Sequence, residues 1–191
     1  MMYQLISQHR SIHGTERIRQ KIKRWQLHNH LTPNIPPNTP NRHLTPNWQA
    51  QRIAHLLEVL KSTTTPRVRA AVFGTLWNRW NTHRRWQRRH HKSNHCLFQC
   101  KSTAEDSIEH YCCCNTVKTA MRRFLKLDPF YFANIHTFTL SNTHIQDTET
   151  LTTIALLIYG TYTTTNQLRY DKQAQQHTNG ECSYSLYCHV K

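Results

Sequence analysis

Five of the chain's seven cysteines fall within HCLFQCKSTAEDSIEHYCCCN, residues 95–115, together with His95 and His110. This cluster constrains the fold more than any other feature. Seven is an odd number, and no basic leader followed by a long apolar run opens the sequence. The expectation is therefore reduced thiols in an intracellular setting, nuclear or cytoplasmic, and no disulfide framework. Thiolates and imidazoles at short spacing suit a tetrahedral metal, which takes four N/S donors at about 2.0–2.3 Å. Cys96-x3-Cys100, nine intervening residues and His110-x3-Cys114 supply two local pairs around a loop. A His and a Cys four residues apart on a helical turn face the same way. Asp106–Ser107 stands where that helix would be capped, and residues 101–104 leave room for the chain to reverse.

Cys112 and Cys113 compete with Cys114 as ligands, and His95 competes with Cys96. Facing favours the set Cys96, Cys100, His110 and Cys114. Four closed ligands leave no open coordination position, so the ion expected is a structural Zn2+ and no catalytic role is expected. The bland alternative is a set of buried free thiols. A second site from Cys182, Cys188 and His189 is a weaker reading than a tail with incidental thiols.

The surrounding segments read as helices. In residues 15–27, Ile18, Ile22 and Trp25 recur at helical spacing in an otherwise basic and polar stretch. Five of the seven prolines follow between Pro33 and Pro46 and mark a linker. Thr45–Pro46 starts a helix carrying Ile53, Leu56, Leu57 and Leu60, and Thr65–Pro66 starts another carrying Val72, Phe73, Leu76, Trp77 and Trp80. The spacing carries the second helix on through RWNTHRRWQRRHHK, residues 79–92, with Trp77 and Trp80 turned to a core. Asn115 or Thr116 can cap a helix with Val117, Ala120, Met121, Phe124 and Leu125, stopped by Asp128–Pro129. A last helix is expected from Asp147–Thr148 to about Gln167. Its threonines, Ile158 and Tyr159 leave a strand reading open. The fold class expected is mainly α: a small helical domain over 45–170 with a zinc-knuckle-like insertion, a basic arm and Pro-rich linker over 1–44, and a disordered tail over 171–191.

Charge points to the partner. Residues 1–126 hold 22 Lys and Arg against 5 acids, whereas residues 127–191 hold 3 against 5. Between Arg17 and Ala104 the only acid is Glu58. Such asymmetry is the footprint of a polyanion binder. Within 79–92, Arg79, Arg84, Arg85, Arg88, Arg89 and Lys92 suit phosphate contact, and Trp86 suits stacking on a base. A merely solvated basic face is the competing reading. Four glycines and no Gly-x4-Gly-Lys-Ser/Thr pattern exclude phosphate loops and dinucleotide fingerprints. The longest apolar run, Ile154–Tyr159, is six residues, far short of the roughly 18 of a membrane span. Neither a membrane nor a small-molecule substrate is expected.

The stretch Thr65–Cys114 resembles the zinc-binding tail of non-LTR retrotransposon reverse transcriptases. The helix TPRVRAAVFGTLWNRWNTHRRWQRR, the pair CLFQC and the run DSIEHYCCC carry the resemblance. It extends over about residues 45–170, where LLIYGTYTTTNQLRY is similar to the helix after the knuckle. The resemblance implies that Cys96, Cys100, His110 and Cys114 hold zinc, that Glu109 is the acid before the histidine, and that the element binds template RNA or target DNA. The first pair is spaced x3 instead of the commoner x2, and Asn115 stands where proline often follows. No YxDD-like pair of aspartates is present, so no polymerase activity is expected: two-metal polymerisation needs carboxylates to hold its ions. The reading is a zinc-stabilised, non-enzymatic fragment that binds RNA or single-stranded DNA. The rivals are a zinc-dependent protein-interaction module and a mobile-element relic without function.

Overall fold

The computed structural model describes residues 15–21, 46–86, 95–100, 103–127, 131, 135–142, 144–170 and 188. Every regular element among them is helical, and an isolated antiparallel bridge, His95 to Glu105, is the sole β pairing among the described residues. The protein is mainly α. Its contacts divide it into two compact units, Met1–Ser62 and Thr63–Lys191.

The first unit contains α1 over residues 15–21 and nearly all of α2, Pro46–Thr63. Ile18 is buried on α1, and a Glu16–Arg19 pair at 2.8 Å lies one turn apart on its exposed side. On α2, Ala50, Ile53, Leu56, Leu57 and Leu60 are buried at the i, i+3, i+4, i+7 spacing of one helical stripe. Lys61 pairs with Glu58 on the opposite, exposed side. Ile22, Trp25 and the Pro-rich linker lie outside the described residues, as does the tail apart from Cys188.

The second unit is organised by two long helices. Helix α3, Pro66–Leu76, starts at the expected Thr65–Pro66 and buries Val68, Ala71, Val72 and Leu76. Helix α8, Thr148–Tyr170, is the element against which α3 packs most extensively. The helical reading of α8 prevails over the strand reading, and its threonines show why. Thr161 and Thr163 donate their hydroxyls to the carbonyls of Leu157 and Tyr159 at 2.8 and 2.7 Å, and Thr165 donates to Tyr162 at 2.9 Å. Back-bonding of this kind satisfies a hydroxyl inside the helix itself, so threonine can be buried against a neighbour. Asp147 closes the start of α8 by accepting the Thr150 N–H at 2.7 Å.

The helix expected to run on through residues 79–92 is broken. Helix α3 ends at Leu76, Asn78 takes a left-handed conformation (φ 51°), and the chain restarts as α4, His83–Trp86. Asparagine tolerates that conformation better than most residues. The break turns Trp80 inward, where it is 1% exposed and donates its indole N–H to Thr75 Oγ1 at 3.0 Å. Its ring lies 6.1, 6.5 and 5.5 Å from those of Tyr111, Phe138 and Tyr162. Trp77 is only half-buried and stacks at a tilt on the exposed Phe73.

Helices α5, Ile108–Cys113, and α6, Asn115–Ala120, follow the cysteine loop. The residue between them, Cys114, is extended and serves as the cap of both. Asn115 and Thr116 therefore lie inside α6 and do not cap it. A wide π turn, Met121–Leu125, continues α6 and ends at the left-handed Lys126 (φ 49°), before Asp128–Pro129, which lies outside the described residues. A short α7, Ile135–Phe138, packs against α5, α8 and α3.

Candidate metal centre

The loop that carries the first two cysteines is a tight turn. The Gln99 N–H bonds the Cys96 carbonyl at 2.9 Å, with Gln99 left-handed (φ 51°). The Cys96 N–H bonds the Ala104 carbonyl at 2.6 Å. This turn brings Cys100 back beside Cys96 and accommodates the x3 spacing. Phe98 at its tip is fully buried and meets Tyr111 edge-on, ring centroids 5.5 Å apart. The loop is thereby tied through Tyr111 to Trp80 and the α3–α8 core.

The second pair is set by α5. Ser107 is its N-cap, accepting the His110 N–H at 3.1 Å. The interaction satisfies one of the unpaired donors of a helix start and fixes the residue that bears the imidazole. Ser107→Ala should lower stability by about 1 kcal/mol. It should also weaken metal uptake, measurable by chelator competition. A variant with unchanged melting and unchanged uptake would count against this positioning role.

Cys96, Cys100, His110 and Cys114 bring their ligand atoms within 4.8 Å of one another. Cys96 Sγ and Cys114 Sγ are 3.8 Å apart, and Cys100 Sγ lies 3.1 Å from His110 Nε2. A tetrahedron with metal–sulfur bonds of about 2.3 Å has sulfur–sulfur edges of about 3.8 Å, the separation of the first pair. The Cys100–His110 separation is tighter than such an edge and also suits a hydrogen bond. Cys96 and Cys114 are buried and the other two half-buried, so one side of the cluster is dry. Three thiols and an imidazole form a donor set suited to a soft or borderline tetrahedral cation.

The thiols of the cluster share protons unevenly. The Cys96 thiol hydrogen bond to Cys114 holds the Cys114 thiol down at about 4 despite burial, helped by His110 and by the backbone of Val117 and Thr116. The same contact, with burial and the nearby Cys114 charge, pushes Cys96 far up. Burial first, then the Cys114 charge, raises Cys100.

The competing thiols point elsewhere. Cys112 is buried and directs its Sγ to the Ile108 carbonyl at 3.0 Å. Cys113 is exposed, with its Sγ 3.2 Å from the His110 carbonyl. His95 is exposed outside the cluster. Cys188 is exposed, and Cys182 and His189 lie outside the described residues.

The basic residues are dispersed by the break after α3. Arg79 is exposed in the turn. Arg84, its side chain 55% exposed, faces Glu105 at 3.6 Å and Glu109 at 3.4 Å, so it serves partly to neutralise the acids of the metal loop. Arg85 is exposed and reaches the Trp80 carbonyl at 3.5 Å. Arg88, Arg89, Lys92 and the Trp86 side chain lie outside the described residues. The continuous helix expected from the sequence is thus corrected to one broken between Leu76 and His83, with residues 87–92 outside the described residues.

The pattern of residues did not disclose the junction that holds this region. Asp106, read as a cap, turns its carboxylate inward. It accepts two bonds from Arg169 of α8, at 2.9 and 3.0 Å, one from the Tyr111 hydroxyl at 2.6 Å and one from the His83 N–H at 2.8 Å. The two charged side chains are only 5% and 8% exposed. One carboxylate thus joins α4, α5 and the end of α8 directly beneath the metal loop. Sixty-three residues separate Asp106 from Arg169, and no local spacing signals the pair. No helix among the described residues is long and apolar enough to cross a membrane. The chain matches no family model, and neither curated proteins nor solved structures provide a significant match.

Proposed function

We propose that the protein is a non-enzymatic, zinc-stabilised nucleic-acid-binding segment of reverse-transcriptase-like ancestry. The observation that carries the zinc reading is the convergence of Cys96, Cys100, His110 and Cys114, with one sulfur–sulfur edge of tetrahedral length. A structural Zn2+ held there would fasten the 96–100 turn to the ends of α5 and α6, and supplies no open position for chemistry. The partner reading rests on charge. A net surplus of positive side chains over residues 1–126 favours phosphate, through release of counterions condensed on the strand. RNA and single-stranded DNA are the strands proposed, because Trp86 stands among Arg84, Arg85, Arg88 and Arg89 in the sequence, and an aromatic ring among cations suits an unpaired base beside its phosphates.

Binding of a labelled oligo(dT) and oligo(U) to the zinc-loaded chain, followed by anisotropy, tests this reading. Affinity should fall about tenfold or more between ~50 and ~200 mM salt, with little sequence preference. An affinity indifferent to salt would overturn it. Such a result would favour the protein-interaction alternative, for which the exposed Phe73 stacked on Trp77 at 5.4 Å is a candidate contact.

A further inference from the structure

A cavity of about 430 Å3 opens between α3, the turn after it and α8, away from the metal centre. It belongs to the size range of small-molecule sites, roughly 300–1,000 Å3. Trp80 lies behind the recess, 1% exposed and with its indole N–H engaged by Thr75, so the aromatic surface open to a ligand comes from the tyrosines. Tyr159 and Tyr162, three residues apart on one face of α8, contribute half-buried rings. Arg67 and Arg79, both exposed, stand among the lining residues, and none of these residues is acidic.

Gly74 keeps the α3 wall low. A Cβ there would meet Trp80 Cδ1 at 3.8 Å and Arg79 Cβ at 3.9 Å, so a small side chain fits and a larger one would occupy the recess. An aromatic-walled cavity edged by two cations selects a flat ring that carries anionic groups on its flanks. A base stacks on aromatic side chains whatever its identity, and guanidinium groups take the phosphates beside it.

Building on the nucleic-acid reading above, we propose that this cavity receives one unstacked base of a bound single strand, with Arg67 and Arg79 on the adjoining phosphates. The recess adds a base contact between α3 and α8 to the phosphate contacts of the arginines. The strand is therefore held by one inserted nucleotide as well as by diffuse charge. Length of strand matters because the phosphates on both sides of the inserted base take part.

The test uses the full zinc-loaded chain, labelled oligo(dT), and a fully abasic strand of the same length and charge. The wild type should bind oligo(dT) about tenfold more tightly than the abasic strand. Gly74→Leu should abolish that difference while leaving abasic binding and its salt slope unchanged. Gly74→Ala replaces a helix-interior glycine at ordinary contact distance and should fold at least as well as the wild type, so it controls for stability. Arg67→Glu with Arg79→Glu should weaken both strands and flatten the salt slope. Equal binding of both strands by the wild type, or an unaltered preference in Gly74→Leu, overturns the cavity assignment while salt-dependent binding survives. Competition by thymidine monophosphate as strong as by the strand overturns the strand assignment. If neither strand binds, the broader nucleic-acid reading fails and this assignment fails with it.

Discussion

Cys114→Ser should release the metal and melt the segment from the 96–100 turn through α6. Cys114 is fully buried and is at once the last residue of α5's cap and the first of α6's. Cys96, His110 and the backbone of Val117 and Thr116 all favour negative charge at its sulfur. A structural zinc contributes on the order of 10 kcal/mol in small domains. A large part of that should be lost here, leaving the α3–α8 pair with an incomplete cover. Metal content by elemental analysis and helicity by circular dichroism, with and without chelator, read the result. Cys100→Ser combined with His110→Ala should behave in the same way.

The neighbouring cysteines sharpen this expectation. Cys113→Ser changes an exposed thiol and should leave metal content and melting nearly unaltered. Cys112→Ser alters a buried thiol that faces the Ile108 carbonyl; the metal should remain. Full metal retention by Cys114→Ser, or metal loss on Cys113→Ser, would refute the assignment of the ligand set.

Asp106→Asn should be the most damaging substitution away from the metal ligands, costing about 3–5 kcal/mol. The carboxylate and the Arg169 guanidinium are both withdrawn from water. Removing one charge leaves the other buried without compensation, and that desolvation outweighs the attraction that was lost. The amide also loses acceptor capacity toward the Tyr111 hydroxyl and the His83 N–H, which require acceptors at the same group. Chemical denaturation of the zinc-loaded protein measures the effect. Arg169→Met should cost less than Asp106→Asn, because Asp106 keeps two donors. A loss below about 1 kcal/mol for Asp106→Asn would show the pair to behave as a solvent-screened surface bridge.

Much of this architecture was legible along the chain. The Thr65–Pro66 start of α3, the buried stripe from Ile53 to Leu60, the Ser107 region as the start of α5 and the four candidate ligands all follow from short-range rules. Caps, stripes and ligand pairs depend on residues within a turn or two of each other. The end of α3 did not follow. Trp77 and Trp80 continue the helical spacing past Leu76, so periodicity alone runs the helix on, whereas Trp80 reaches the core only because Asn78 reverses the backbone. Burial of one large ring against Tyr111, Phe138 and Tyr162 outweighs the local preference to continue the helix.

The choice among three successive cysteines shows the same divide. Residue types and spacing confined the candidate metal centre to Cys96–Cys114 and favoured Cys114 over its competitors Cys112 and Cys113. Tertiary structure supplies another reason for the same choice: the chain leaves α5 at Cys114 in an extended conformation, and its sulfur lies 3.8 Å from that of Cys96. It also joined Asp106 to Arg169 and hollowed the recess between α3 and α8. Local order thus determined which helices form and which atoms can bind a cation. Only the packing of segments distant in sequence decided where the chain breaks, which thiol meets Cys96 and which buried charge finds its partner, since those outcomes depend on desolvation shared between surfaces that no single stretch contains.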